Sequence, residues 1–116
     1  MSNLSVTMKA EPLRSTAFGS VGTGYSALGT ALVNPPRIYH IQNLTDANIL
    51  VSYDGSTDNE AVAAGGFLLL DITSNMSRSE GFYFPKGMTT YIKREAGAPT
   101  TGNVYLSVYY GTVGSD

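Results

Sequence analysis

Four oxygen-bearing side chains fall within one short polar stretch of the sequence, and they are Asp54, Asp58, Asn59 and Glu60. Ca²⁺ binds several carboxylate and amide oxygens, so this stretch has ligands to offer. The spacing is not that of an EF-hand, because its glycine and its terminal glutamate are misplaced. Asp, Asn, Gly and Ser also dominate turns, so the favoured interpretation is a solvated turn. We predict no metal site and no cofactor.

His40 is the only histidine in the sequence. A histidine that acts as a general base needs an orienting partner and a nucleophile, and one isolated residue identifies neither. Because His40 lies between Tyr39 and Ile41 in a predicted strand, we expect a half-buried, hydrogen-bonded side chain.

Other catalytic or nucleotide-binding patterns are equally weak. Asp71, Glu80 and Glu95 show no spacing that would pair two carboxylates across a cleft for glycoside cleavage. The Gly22–Gly24 stretch lacks the Lys-Ser/Thr and the helix of a phosphate-binding loop. We therefore predict no catalytic residue, and an enzyme is the least favoured class.

Composition excludes several kinds of partner. Seven basic residues among 116, a net charge of −2 and 14% charged residues give no basic stripe for nucleic acid. With no cysteine there is no disulfide. The longest apolar run, Phe67–Leu70, is too short to span a membrane. The first residues lack the features of a signal peptide, so we expect a protein that is kept in a cytosol or assembled there into something larger.

Tyrosine is the most conspicuous aromatic residue, with eight copies and no tryptophan. Predicted strands contain Tyr39, Tyr53, Tyr83, Tyr91, Tyr105, Tyr109 and Tyr110, and the predicted strand Tyr25–Val33 begins at the eighth tyrosine. A tyrosine combines large contact area with a polar tip, which suits protein interfaces and sugar-binding platforms. Tyrosine also favours strands for packing reasons alone, so both interpretations stay open.

The stretch Asn103–Tyr110 predicts the central strand. Its alternation places Val104, Leu106, Val108 and Tyr110 on a core face, and Tyr105, Ser107 and Tyr109 on a second face. Six further strands are predicted: Leu4–Lys9, Tyr25–Val33, Arg37–Asn43, Asn48–Tyr53, Phe67–Ile72 and Met88–Arg94, with a brief one at Phe82–Phe84.

Three local predictions accompany these strands. The strands Arg37–Asn43 and Asn48–Tyr53 surround a short turn and are interpreted as a hairpin. Phe67–Ile72 is apolar on both faces, so both faces are expected to be covered. Ser15–Gly24 is glycine-rich and interpreted as irregular, and residues from Gly111 onward as a tail.

Short strands with turn signals about every ten residues predict an all-β protein, an antiparallel β-sandwich or barrel. We expect residues 1–24 to form an extended N-terminal arm or edge strand and residues 25–116 to form the β-sandwich domain.

Three stretches carry a resemblance to a known family: Ile41–Gly55, Ala64–Asp71 and Lys86–Lys93. In order they show a strand ending in Asn, a turn, a strand ending in Ser-x-Asp-Gly, a glycine-preceded strand, and Lys-Gly-x-Thr before the next strand. Across about residues 36–111 the sequence resembles the capsid decoration, or cement, proteins of short-tailed bacteriophages.

The resemblance implies a jelly-roll-like sandwich on the capsid surface of a virion, bound to the major capsid protein and forming a dimer or trimer. It implies a structural role, with neither nucleic acid nor membrane as partner. We expect the N-terminal segment and the second face of the central strand to make the partner contacts, through Leu4, Val6, Met8, Arg14, Phe18, Val21, Tyr25, Tyr105 and Tyr109.

Two other functions stay open at this point. An adaptor or fibre-base protein of the same virions is similar in style. A carbohydrate-binding sandwich would use the tyrosines as platforms and the Asp54–Glu60 loop for calcium.

Overall fold

The computed structural model describes residues 6–72 and 84–113. They form nine strands and a single-turn 3₁₀ helix, Phe18–Ser20. The strands are β1 (Val6–Ala10), β2 (Arg14–Ala17), β3 (Ser26–Ala27), β4 (Ile38–Asn43), β5 (Ile49–Ser52), β6 (Glu60–Val62), β7 (Phe67–Asp71), β8 (Tyr91–Arg94) and β9 (Asn103–Val113).

The strands form two sheets. In the five-stranded sheet, β1 and β2 lie end to end along β9, followed by β4 and β7; the four-stranded sheet has the order β3-β8-β5-β6. Every registered pair is antiparallel. The predicted all-β antiparallel sandwich is therefore confirmed, whereas the jelly-roll-like connectivity and the N-terminal arm stay predictions.

The core lies between the sheets and takes alternate residues from each strand. On β9, Val104, Leu106 and Val108 are buried, as predicted, and Tyr110 is half-buried. Tyr39 of β4 is fully buried, and its hydroxyl forms a hydrogen bond with the Thr90 hydroxyl from the opposite side of the core. Burial raises the pKa of Tyr39.

The edge beside β9 contains a bulge. Ala10 pairs with Tyr109 and Arg14 pairs with Leu106, so three edge residues lie opposite two residues of β9. Such an extra residue bends a strand and interrupts its ladder. The described part of the predicted arm thus lies against its own chain, and Arg14–Ala17 is a strand where the sequence predicted an irregular segment. The sequence did not predict this short strand because several glycines, which are typical of irregular segments, follow soon after Ala17.

The predicted hairpin is wrong. β4 pairs with β7 and β9, whereas β5 pairs with β6 and β8, so the turn between β4 and β5 crosses from one sheet to the other. The buried Asn43 holds this corner: its amide donates to the carbonyls of Ala47, Val62 and Ala63, and its oxygen accepts from Thr45. A short polar turn has the same sequence pattern in either geometry.

Two strand boundaries also differ from prediction. The strand expected at Tyr25–Val33 is only Ser26–Ala27, although Leu28 and Leu32 are buried. β9 continues through Gly111 to Val113, where a tail was expected. Most of the strand predicted at Phe82–Phe84 lies outside the described residues.

Candidate functional site

The outward-pointing side chains of the five-stranded sheet lie in cross-strand rows, and we call three of these rows the outer face. Strand register places one residue from each strand side by side on the same surface. The rows are Ser15-Tyr105-Gln42-Phe67, Ser107-His40-Leu69 and Ala10-Tyr109-Ile38-Asp71.

Two large apolar side chains on β7 dominate the exposed part of the outer face. Phe67 is 66% exposed and Leu69 is 51% exposed, whereas their neighbours Leu68 and Leu70 pack against the core. The prediction that both faces of this strand are covered is therefore wrong, because its outward side chains stay largely exposed. An exposed apolar strand of this kind is characteristic of a contact surface.

Aromatic rings extend the outer face across the neighbouring strands. The His40 ring packs edge-on against Phe67, with 5.6 Å between ring centroids. His40 is half-buried, as predicted, and the hydrogen bond expected for its side chain stays a prediction. Tyr109 is exposed and Tyr105 is half-buried, and the Asn103 amide donates a 3.0 Å hydrogen bond to the Tyr105 hydroxyl.

The outer face carries little charge. In its three rows Asp71, at the end of one row, is the only residue with a carboxylate or a permanent positive charge. Depletion of charge together with aromatic enrichment distinguishes the centres of protein interfaces from ordinary surface. The face can therefore make broad apolar contact with hydroxyl and amide groups interspersed.

A small groove opens beside the bulge, at the edge of the outer face. Its volume is about 230 Å³, below the range of about 300–1,000 Å³ that is typical of small-molecule sites. The groove is lined by Ala10, Glu11, Leu13, Ser107, Val108 and Tyr109. A groove of this size suits one apolar side chain of a partner better than a drug-sized ligand.

The structure places the predicted contact residues in different surroundings. Met8, Phe18 and Tyr109 are exposed, whereas Val21 is buried in the core. Leu4 lies outside the described residues, and the backbone of Val6 pairs with that of Val113. Tyr105 lies on the outer face. The contact role of all of them stays a prediction.

Arg14 is buried and bonded within its own chain. Its guanidinium Nη2 lies 2.7 Å from Oε1 of the buried Glu11, and Nε and Nη2 donate to the carbonyls of Thr30 and Ala31. The other carboxylate oxygen of Glu11 accepts from the Asn34 amide at 2.7 Å. This ion pair fixes the bulge to the segment that precedes β4.

Tyr25 is engaged at the four-stranded sheet, away from the outer face. Its hydroxyl donates a 2.5 Å hydrogen bond to Asp58, and the Lys93 ammonium lies 4.7 Å from its ring centroid. Lys93 and Asp58 form an exposed ion pair of 3.5 Å. Desolvation and the hydrogen bond to Asp58 raise the pKa of Tyr25, and the same bond lowers the pKa of Asp58.

Side-chain oxygens of the Asp54–Glu60 loop accept hydrogen bonds from donors within the same chain. The Asp54 carboxylate accepts from the amides of Ser56 and Thr57 and from the hydroxyls of Ser52 and Thr57. These bonds hold its pKa well below the ordinary value. The geometry is that of a turn, and the described residues contain no group of three or more potential metal-binding acidic, histidine or cysteine side chains.

Comparisons with protein-family models, with curated proteins and with solved structures find no significant match for this chain. The resemblance to decoration proteins therefore stays a prediction. No described helix has the length and hydrophobicity required to cross a membrane.

The sequence missed the residues that make the outer face conspicuous, namely Ile38, His40, Phe67 and Leu69. Strand alternation placed Tyr105 and Tyr109 on a second face, and the structure locates both on the outer face. The sequence of β7 has apolar residues on both faces of the strand. That pattern does not show whether other parts of the protein cover one face or both.

Proposed function

We propose that this chain is a structural, non-enzymatic virion protein that binds the outside of a bacteriophage capsid and bridges neighbouring major capsid subunits. The observation that carries the proposal is the outer face: contiguous, nearly uncharged and rich in aromatic and aliphatic groups. The family resemblance supplies the class of partner, and the outer face supplies a surface suited to protein contact.

The order of strands supports the jelly-roll-like part of the proposal. Consecutive strands alternate between the sheets except for β1 and β2, which both pair with β9, and for β5 and β6, which pair with each other. This gives the orders β1/β2-β9-β4-β7 and β3-β8-β5-β6. Double-sheet jelly rolls have eight strand positions arranged as two Greek keys. Counting β1 and β2 as one bulged strand gives eight positions here.

The size of the outer face favours repeated contact over a single tight one. Four strand positions about 4.8 Å apart and five residues about 3.3 Å apart give a flat area of about 300 Å². A standard stable interface buries about 800 Å² on each partner. One copy should therefore bind weakly, and stabilisation of the shell would come from many copies or from linked copies.

The test is co-sedimentation with shells assembled from the major capsid protein that the same genome encodes. Substitution is preferable to deletion of residues 1–24, because deletion would also remove β1, β2 and the Glu11–Arg14 pair. Phe67→Ser with Leu69→Asn should abolish most shell binding without unfolding the protein, because both side chains are largely exposed.

The matched control is Val33→Ser with Leu44→Asn. These side chains are 67% and 50% exposed, close to the values for Phe67 and Leu69, but they lie in loops. Retained binding by this control and loss by the outer-face variant would support the proposal. Equal binding by wild type and both variants would refute the assigned face, and no shell binding by wild type would refute the capsid role.

A further inference from the structure

β9 extends beyond its neighbour on one side. β4 accompanies it only as far as Tyr109, which pairs with Ile38. From Tyr110 to Val113, β9 pairs with β1 on the other side, and no described strand lies where β4 would continue. We call residues 110–113 the overhang.

The printed hydrogen bonds fix the direction of the backbone groups in the overhang. Leu44 and Arg37 donate their amides to the carbonyls of Asn103 and Tyr109, so odd-numbered residues of β9 point toward β4. The Val108 carbonyl accepts from the Glu11 amide on the opposite side. Because these directions alternate along a strand, the amides and carbonyls of Gly111 and Val113 point toward the side that no described strand occupies.

The other edges carry features that discourage strand addition, whereas the overhang does not. The β1–β2 edge contains a bulge and Pro12, and β3 is only two residues long. β6 is three residues long and begins with Glu60, and β7 ends with Asp71. Bulges, prolines, charges and short strands protect edges against further pairing. Tyr110-Gly-Thr-Val113 contains neither proline nor charge.

We propose that a second copy of this chain pairs antiparallel with the overhang about a two-fold axis at Thr112. Gly111 would then pair with Val113 of the partner subunit, and the reverse pair would follow by symmetry, giving four backbone hydrogen bonds. The outward amides and carbonyls of Gly111 and Val113 are self-complementary in this register, as an isologous two-fold contact requires. Because the paired strands are antiparallel, residues 103–110 of the two copies extend in opposite directions from the two-fold axis.

This inference is independent of the capsid role, because it concerns the protein alone and can be tested without shells. Sedimentation velocity over a wide concentration range should show the average mass rising from that of a monomer toward twice that value. Failure of this dimer would leave shell binding by the outer face untouched, and failure of shell binding would leave the dimer untouched.

The decisive variant is Gly111→Pro, which removes an amide that faces the proposed partner strand and spares the amides that pair with β1. Two of the four hydrogen bonds would be lost, so association should weaken about tenfold or more. The matched control is Met8→Pro, because Met8 lies opposite Gly111 in the register but its amide faces the protected edge. The control should dimerise like wild type, and thermal unfolding verifies that both variants fold.

Amide hydrogen exchange supplies a second readout. Protection of Gly111 and Val113 that increases with protein concentration would support intermolecular pairing. Equal protection at every concentration would overturn the proposal, because the edge would then be covered within one chain. A mass that stays monomeric at all concentrations, or equal weakening by both prolines, would also overturn it.

Discussion

Gly102, immediately before β9, is the position where backbone geometry most restricts the residue type. Its φ is +92°, and an added Cβ would lie 2.0 Å from the Leu44 carbonyl oxygen. Left-handed backbone costs a residue with a side chain about 1–2 kcal/mol, so strain and clash together should lower the unfolding free energy of Gly102→Ala by more than about 2 kcal/mol. Urea denaturation measures this loss.

The control for Gly102 is Gly24→Ala. Gly24 lacks the positive φ, and nothing lies within 4 Å of an added Cβ. This variant should unfold near the wild-type urea concentration. Similar losses for both variants would mean that the contact between Gly102 and Leu44 relaxes at little cost.

The Glu11–Arg14 pair is the second decisive feature at this scale. Glu11→Gln keeps the size of the side chain but leaves Arg14 buried without its counter-charge. Breaking one side of a buried pair costs about 3–5 kcal/mol, so we expect a loss of that order in urea denaturation.

An exposed pair provides the comparison for Glu11. Lys93→Gln breaks the ion pair with Asp58, whose side chain is 55% exposed, and should cost less than about 1 kcal/mol. If Glu11→Gln cost no more than Lys93→Gln, the carbonyls of Thr30 and Ala31 alone would satisfy Arg14.

At the scale of elements, the sequence predicted what each strand buries better than which strand it joins. The alternation of Val104, Leu106 and Val108 is local, and it gave the core face of β9 correctly. Pairing depends on the direction in which a turn leaves the sheet, and the polar turn after Asn43 does not encode that in its composition. For the outer face, alternation placed Tyr105 and Tyr109 correctly. The exposure of Phe67 could not be predicted in this way, because it depends on whether residues far away in the sequence pack against that face.

The corner between β4 and β5 can be tested through Asn43. Asn43→Ala removes a buried amide that serves three carbonyls and Thr45. Buried groups left unsatisfied cost about 1–3 kcal/mol each, so we expect a total loss of at least about 2 kcal/mol in urea denaturation. Asn48→Ala, which removes one exposed bond to the Ala64 amide, is the control and should have a small effect.

The Asp54 turn predicts how stability responds to acid. Because the folded-state pKa of Asp54 is lowered by its hydrogen bonds, the unfolded chain binds a proton first as pH falls. The stabilisation is fully present above the ordinary aspartate pKa and is lost as pH falls below it toward the folded-state pKa. Asp54→Ala should reduce stability near neutral pH and flatten the acid-side decline in urea midpoints. An unchanged slope would contradict this assignment.

At the scale of the whole molecule, the protein separates its charges from its proposed contact surface. The exposed pair Lys93–Asp58 and the Asp54 turn belong to the side of the four-stranded sheet, whereas the outer face is nearly uncharged. Contact through such a face would depend on burial of apolar area and on shape. It would also be insensitive to long-range charge, which sets it apart from charge-steered association.

Salt dependence therefore distinguishes the outer face from any charged surface as the shell-binding site. Raising the ionic strength from about 0.01 M to about 1 M shortens the Debye length from about 30 Å to about 3 Å and removes most attraction between exposed charges. Shell affinity of the wild type, measured by co-sedimentation in NaCl, should change little, and sulfate should strengthen it by favouring apolar burial. Phe67→Ser with Leu69→Asn should bind poorly at every salt concentration. A steep loss of wild-type binding in NaCl would instead locate the contact among the basic side chains, outside the outer face.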